Sequence, residues 1–372
     1  MNTSLSSLLQ SRVEHRTIAG AVTLVAGRDG LLDVQTAGYA DLEARTPLER
    51  DALFWIASVS KPIAATAFMI LVDEGKVGID DPVEAYLPEF AGQQLAEADG
   101  SLRKPSHPIR VREILSHTSG LPFSTEIETP TFDLLPLPDA VRSYAAASLR
   151  FDPGTAYLYS NAGINTAGRI IEVLTGQSYE AFLEERLFAP LGMPDTTFRP
   201  NAAQVSRLAK TYRPAPQGGL EEVPIGQVRY PLDGPGRYPF PGGGLFSTAD
   251  DLGRFGRMIL NRGELDGRRY LSEAAIATMT SRQTAPSLST SYGLGWSIGE
   301  GRCGHGGAYK NDLSVNWRDG FTAVLLLHHA ADWQNDEGRG ILPSFHAEAA
   351  RLATGKSTDL PASAPNVGAD FR

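Results

Sequence analysis

Apolar and polar positions follow two rhythms along this chain, one of period two near its ends and one of helical spacing between them. Leu5, Leu8, Leu9 and Val13 share one stripe, so residues 4–16 predict a short amphipathic helix. The β-rich runs 20–26 and 31–37, joined through Gly27-Arg28-Asp29-Gly30, predict a hairpin. Late in the chain, residues 292–298, 313–317 and 321–328 read as strands, the last two joined by an Asp319-Gly320 turn, and 341–353 reads as a closing helix. Between these ends the pattern turns helical at 110–116, at 162–174 (closed by Gly176), at 179–188 (with Ser178 as N-cap) and at 272–280. Another helix start stands at Ser247-Thr248, followed by Asp250 and Asp251. The polar stretch 91–108, the prolines of 122–138 and the Pro/Gly-rich stretch 212–244 read as loops.

Strands at both ends with helices between them predict an α+β fold. The expected form is an antiparallel sheet flanked by helices and assembled from the two termini, with a mainly helical lobe inserted and a ligand cleft between. A single domain is expected over 1–355. Residues 1–75 and 285–355 form its sheet-bearing lobe, about 76–284 the helical one, and 356–372 a flexible tail.

The longest apolar run begins at Phe54-Trp55-Ile56-Ala57-Ser58-Val59-Ser60-Lys61-Pro62 and has no strong breaker until Gly75. It is too long for a typical strand and suits a buried helix stopped by Gly75. Pro62 is tolerated only near a helix start, which puts the first turn at Ser58 to Lys61. Ser58 then sits at the positive end of the helix dipole, with Lys61 about 4.5 Å further up the same face. A serine hydroxyl is a weak nucleophile until a base takes its proton. A lysine can be that base only when neutral, and burial drives its pKa down from roughly 10.4. A second Ser-x-x-Lys, Ser101-Leu102-Arg103-Lys104, lies in a polar segment with no apolar helix behind it and reads as solvated loop.

Composition narrows the possibilities. The 372 residues are 42% hydrophobic and 21% charged, ordinary for a globular chain with a large core. A net charge of −9 leaves no basic footprint for nucleic acid. No run of about 18 apolar residues exists to span a membrane. The N-terminus lacks a basic segment followed by an apolar one, so a cytoplasmic location is expected, or a periplasmic or secreted one if a signal has been removed. Cys303 is the one cysteine, which rules out an internal disulfide.

Two further motifs stand with Ser58-Val59-Ser60-Lys61: Tyr159-Ser160-Asn161 and His305-Gly306-Gly307. With Leu115-Ser116-His117-Thr118-Ser119-Gly120-Leu121, Pro153-Gly154-Thr155 and Gly242-Gly243-Gly244-Leu245-Phe246-Ser247-Thr248, the chain resembles the serine β-lactamase and penicillin-binding-protein superfamily over about residues 15 to 330. Within it the likeness is to class C β-lactamases, D-aminopeptidases and β-lactamase-like (family VIII) carboxylesterases. The resemblance implies a β-lactamase-like fold and a serine hydrolase that cleaves a small ester or amide through an acyl-enzyme, without a cofactor. It makes Ser58 the nucleophile and Lys61 with Tyr159 the general base. Asn161, His305, Gly307 and Ala308 become substrate-binding positions. The backbone N–H groups of Ser58 and Ala308 would form an oxyanion hole, each such donor being worth about 3–4 kcal/mol. A phenolate at Tyr159 needs a neighbouring cation, which Lys61 supplies, and the two would then titrate as one unit. β-Lactamases usually carry Lys-Thr-Gly where this chain has His305-Gly306-Gly307. The missing lysine points to a carboxylesterase with weak or no β-lactamase activity. The alternatives are an acyltransferase using the same acyl-enzyme, a D-aminopeptidase or β-lactamase, and a penicillin-binding sensor that acylates without turnover.

Other patterns carry less. Gly295-Trp296-Ser297-Ile298-Gly299 matches a nucleophile elbow, but the glycine-rich 300–304 after it cannot hold the required helix, so Ser297 reads as a strand residue. Cys303 shares a face with His305, with nothing to orient the pair. His117 reads as a loop-holding residue. Adjacent His328 and His329 point to opposite faces and make poor metal partners. Tyr157, Phe240 and Tyr309 are candidate pocket aromatics.

Overall fold

The computed structural model describes residues 5–355; the expected tail over 356–372 and the first residue of the helix expected at 4–16 lie outside the described residues. Helix α1 (Leu5–Glu14) leads into strands β1 (Gly20–Gly27), β2 (Leu31–Asp41) and β3 (Thr46–Pro47). Helix α2 (Ser60–Asp73) follows. Next come α3 (Val111–Leu115), α4 (Leu137–Ala146), α5 (Asn161–Thr175) and α6 (Tyr179–Leu183), the last continued by a π-turn over Glu184–Phe188. Helices α7 (Ala249–Leu260) and α8 (Glu273–Met279) precede strands β4 (Ser297–Gly299), β5 (Arg302–Gly306), β6 (Asp312–Asn316) and β7 (Phe321–Leu326). Helix α9 (Ile341–Thr354) closes the described chain.

The seven strands form one sheet in the order β4-β5-β6-β7-β1-β2-β3, and every pairing is antiparallel. The N-terminal β1 lies against the C-terminal β7, with Val22 opposite Leu326 and Gly27 opposite Phe321, so the sheet is built from both ends of the chain as expected. Both sheet faces are covered, which explains why β1 is buried along nearly its whole length rather than in alternation. Ala21, Val25, Ala323 and Leu325 pack against Leu5 and Leu9 of α1 and Phe345 of α9. Val22, Leu24, Val324 and Leu326 join the larger core that contains α2 and α7. Helix α7 falls within the span expected for the inserted lobe yet packs on β1, β6 and β7, so the helical insert is interrupted.

Local chemistry accounts for most helix boundaries. Ser178, Thr248 and Ser272 cap α6, α7 and α8 by accepting from the N–H three residues on. Gly176 ends α5 in the left-handed region, and Gly75 follows α2 in the same conformation. Twelve of the fourteen α2 residues are buried.

Several expectations need correction; the loops expected at 122–138 and 212–244 include the start of α4 and a ladder of Thr211–Pro214 with Leu220–Val223. Residues 292–296 are not strand, because Gly295 bends at φ +74° so that the backbone can press on α2; a side chain there would sit 2.7 Å from the Lys61 carbonyl. The β6–β7 connection is a four-residue loop over 317–320 rather than a two-residue turn, since Asn316 pairs with Phe321. The polar stretch 91–108 contains a small ladder, Leu95–Ala96 against Leu102–Arg103. Among the described residues no helix is long and apolar enough to cross a membrane.

Candidate active site

The approach to Ser58 is clamped from two sides. Phe54 and Trp55 pair with Ser247 and Phe246, and the Trp55 indole N–H donates to the Gly243 carbonyl at 2.8 Å. From the sheet side, Asn311 donates to the Trp55 carbonyl at 2.8 Å and accepts from the Leu327 N–H. The chain then turns sharply. Ala57 adopts φ +47°, a conformation costing about 1–3 kcal/mol for a non-glycine residue, and opens a 3₁₀ turn over Ala57–Val59 that runs straight into α2. Ser58 therefore stands at the N-terminal end of a buried helix, 9% exposed, with Lys61 one turn on and fully buried.

Lys61 Nζ lies 3.1 Å from Ser58 Oγ, 2.7 Å from Asn161 Oδ1 and 2.6 Å from the Gly242 carbonyl oxygen. None of these partners is a carboxylate, so burial acts unopposed and holds the amine well below its ordinary pKa. A neutral amine has two hydrogens and one lone pair. The two shorter contacts go to pure acceptors, which leaves the lone pair for the Ser58 hydroxyl.

The Tyr159 phenol hydrogen-bonds Ser58, and its ring lies 4.6 Å from Lys61 Nζ. Burial pushes this phenol up from its usual value, and the Ser58 contact offsets that only in part. The phenolate expected from the sequence is thus disfavoured, and the buried site prefers an uncharged amine beside an uncharged phenol. Asn161 arrives because Ser160 caps α5, accepting from the Gly163 N–H at 3.0 Å and donating to the Pro122 carbonyl.

His305 projects from β5 with its ring 6.1 Å from Tyr159. Its Nδ1 lies 2.8 Å from the Gly306 carbonyl and its Nε2 2.9 Å from the Tyr292 hydroxyl, which assigns Nδ1 as donor and Nε2 as acceptor. Burial, reinforced by Lys61, holds it down to about 3. Gly307 then passes so close to the Ser58 approach that a Cβ would stand 2.7 Å from the Ile56 carbonyl oxygen. Its own N–H is taken by the Asn311 carbonyl. The N–H groups of Ser58 and Ala308 have no hydrogen-bond partner among the described residues.

Lys61 therefore contacts Ser58, Tyr159 and Asn161, and Tyr159 also bonds Ser58, with His305 and Gly307 close by. Several other residues belong here that the motifs did not mark. Tyr292 orients His305, Gly242 takes a Lys61 hydrogen, and Asn311 locks the β5–β6 loop to Trp55. His117, at φ +62° and fully buried, accepts from the Ser160 N–H and packs its ring 4.4 Å from Tyr159, consistent with a holding role. Tyr157 joins this aromatic cluster, whereas Phe240 and Tyr309 pack into the core around Trp55.

The competing patterns fall away. Ser297 lies on β4, and Ser101–Lys104 is exposed throughout. Burial raises the Cys303 thiol well above its ordinary value, so it is inert. His328 accepts from the Trp55 N–H and donates to the Ala209 carbonyl.

A family model described as Beta-lactamase matches residues 5–339. An uncharacterized protein of Mycobacterium tuberculosis is 37% identical over 274 residues, covering 70% of this chain and 67% of that protein. Esterase EstB of Burkholderia gladioli is 33% identical over 373 residues, covering 88% of this chain and 90% of its own length. Among solved structures, EstCE1, described as a hydrolase with promiscuous acyltransferase activity, superposes with a TM-score of 0.77 at 25% identity, over 94% of this chain and 97% of that one. With a large antiparallel sheet, flanking helices and a match running through nearly the whole described chain, this protein is an enzyme of serine-hydrolase type and belongs to the Beta-lactamase family.

Proposed function

We propose that the protein is a carboxylesterase-like hydrolase that cleaves small uncharged esters or amides through an acyl-enzyme on Ser58. The observation that carries this reading is the Lys61 amine, buried without a counter-charge 3.1 Å from the Ser58 hydroxyl. In the first step the Ser58 oxygen attacks the substrate carbonyl while its proton passes to Lys61, directly or through the Tyr159 hydroxyl. The oxyanion that forms is met by the Ser58 and Ala308 N–H groups. The Lys61–Tyr159 pair returns the proton to the leaving group. The same pair then takes a proton from water for deacylation.

The preference for uncharged substrates follows from His305. Where a lysine would offer a cation to a β-lactam carboxylate, this ring is neutral and both its nitrogens are engaged. Weak or absent β-lactam turnover is the consequence. Transfer of the acyl group to an alcohol is the second reading, favoured by the likeness to EstCE1. The ratio of alcoholysis to hydrolysis with added alcohols measures its share.

Intact mass after fluorophosphonate treatment tests the proposal. A single adduct is expected on the native protein and on Ser297→Ala, with none on Ser58→Ala. Labelling that survives Ser58→Ala contradicts it. A p-nitrophenyl ester should show continued turnover, whereas a burst with none points to an acylating sensor.

A further inference from the structure

A second group of buried polar residues lies behind Lys61, on the side away from Ser58. The Asn165 carboxamide, one turn into α5 from Asn161, accepts from the Gly242 N–H at 2.9 Å through Oδ1. Its Nδ2 donates to the Tyr144 hydroxyl at 2.9 Å, and that hydroxyl donates to Glu128 Oε1 at 2.5 Å. Glu128 Oε2 accepts from the Thr125 N–H at 2.7 Å and from the Thr125 hydroxyl at 3.4 Å. Asn165, Tyr144 and Glu128 are at most 3% exposed. Three polar side chains thus sit where α4 and α5 pack among apolar neighbours, and each has its hydrogen bonds satisfied in a single chain of donors. Such a network is costly when broken, because every member left unpaired is buried.

The chain ends on Gly242, whose carbonyl takes one of the two Lys61 hydrogens. Among the described residues no other group accepts from the N–H of this residue; the peptide that carries its carbonyl is held on the far side by the Gly243 N–H, which donates to the Phe240 carbonyl at 3.1 Å. If the carbonyl swings away, the amine is free to turn a hydrogen toward Ser58 Oγ, and its lone pair no longer faces the proton it must take. We infer that Asn165, held by Tyr144 and Glu128, is a positioning residue for the reaction: it fixes Gly242 so that the Lys61 lone pair faces Ser58. The inference rests on the acyl-enzyme reading proposed above and goes beyond it, since none of these three residues touches the reacting atoms.

Asn165→Leu keeps the side-chain size and removes both hydrogen bonds. Tyr144→Phe leaves the Asn165–Gly242 bond but removes its backing. The readouts are the fraction of protein labelled by fluorophosphonate and the acylation rate per labelled site as a function of pH. A misplaced base costs on the order of 100-fold, so Asn165→Leu should label to the native extent with acylation about 30–100-fold slower per site. Its pH midpoint should also move away from the native one. Tyr144→Phe should fall between the two. A purely structural role would lower the melting temperature and the labelled fraction while leaving the per-site rate and midpoint unchanged; that result in Asn165→Leu and Tyr144→Phe overturns the inference. Should Asn165→Leu not fold, a native per-site rate and midpoint in Tyr144→Phe is by itself sufficient to reject it. Ser58→Ala is run alongside. Labelling of that variant condemns the acyl-enzyme reading, whereas loss of label there with native kinetics in the other variants condemns only the positioning role.

Discussion

At the scale of single residues, the site is governed by the removal of charge. Lys61, His117 and His305 are pushed down and Tyr157, Tyr159 and Tyr292 up, in every case chiefly by burial. A lysine in water at neutral pH is an ammonium with no lone pair to offer. Here burial favours the neutral form relative to water, and on the proposed mechanism Ser58 needs no histidine–carboxylate pair to become reactive. On the proposed mechanism acylation depends on the unprotonated amine, so its rate should fall as pH drops through the Lys61 pKa and hold above it. The proposed oxyanion pocket is equally a matter of close fit. Because a Cβ on Gly307 would meet the Ile56 carbonyl at 2.7 Å, Gly307→Ala must shift the loop that carries the Ala308 N–H. Steady-state kinetics should show kcat reduced about 100-fold or more with KM nearly unchanged, since this donor acts in the transition state. A proportionate rise in KM at native kcat would contradict the role given to Ala308.

At the scale of elements, the sequence was legible wherever local chemistry decided the outcome. The unbroken apolar run after Pro62, the cap at Ser178, the helix start at Ser247-Thr248 and the stops at Gly75 and Gly176 all mark helices that formed. The Ser58–Lys61 spacing needed only one helical turn to be read. Where a neighbour decided the outcome, the pattern misled. Residues 292–296 look like a strand, yet the close approach to α2 requires the bend at Gly295. Helix α4 was hidden by Pro136 and Pro138, which read as breakers although a proline in the first turn is tolerated. With α4 unseen, Tyr144 had no place. The contact of Asn165 with Gly242 spans 77 residues, and no local signal carries it. The Tyr159 phenolate expected from the sequence is opposed by burial, and that burial arises from packing, not from spacing.

At the scale of the whole molecule, burial of so many titratable groups ties stability to pH. His305 is held down to about 3, and His328 and His329 to about 4, against roughly 6.5 in the unfolded chain. Between about 4 and 6.5 the unfolded chain binds protons that the native protein does not. Stability is therefore fully present above that window and is lost as pH falls through it. Asp251, raised to about 6, works in the opposite sense and offsets about one of these protons. His117, also pushed well down by burial, adds to the loss, and Glu113 and Glu128, raised by burial, oppose it; with four imidazoles against three carboxyls the net expectation is a loss of stability as pH falls. Urea midpoints measured at pH 7 and pH 5 check it: the midpoint should be lower at pH 5, and an equal or higher value there would contradict the neutral, buried imidazoles.

The account depends most on the charge of one nitrogen. An NMR titration of the lysine ζ-nitrogens, with the Lys61 signal assigned by its loss in Lys61→Met, reads that charge directly. The expected result is a Lys61 midpoint well below the ordinary value of about 10.4, with a neutral amine in the pH range where the enzyme acylates. A Lys61 signal that stays protonated up to its ordinary midpoint would leave Ser58 without a base and contradict the account.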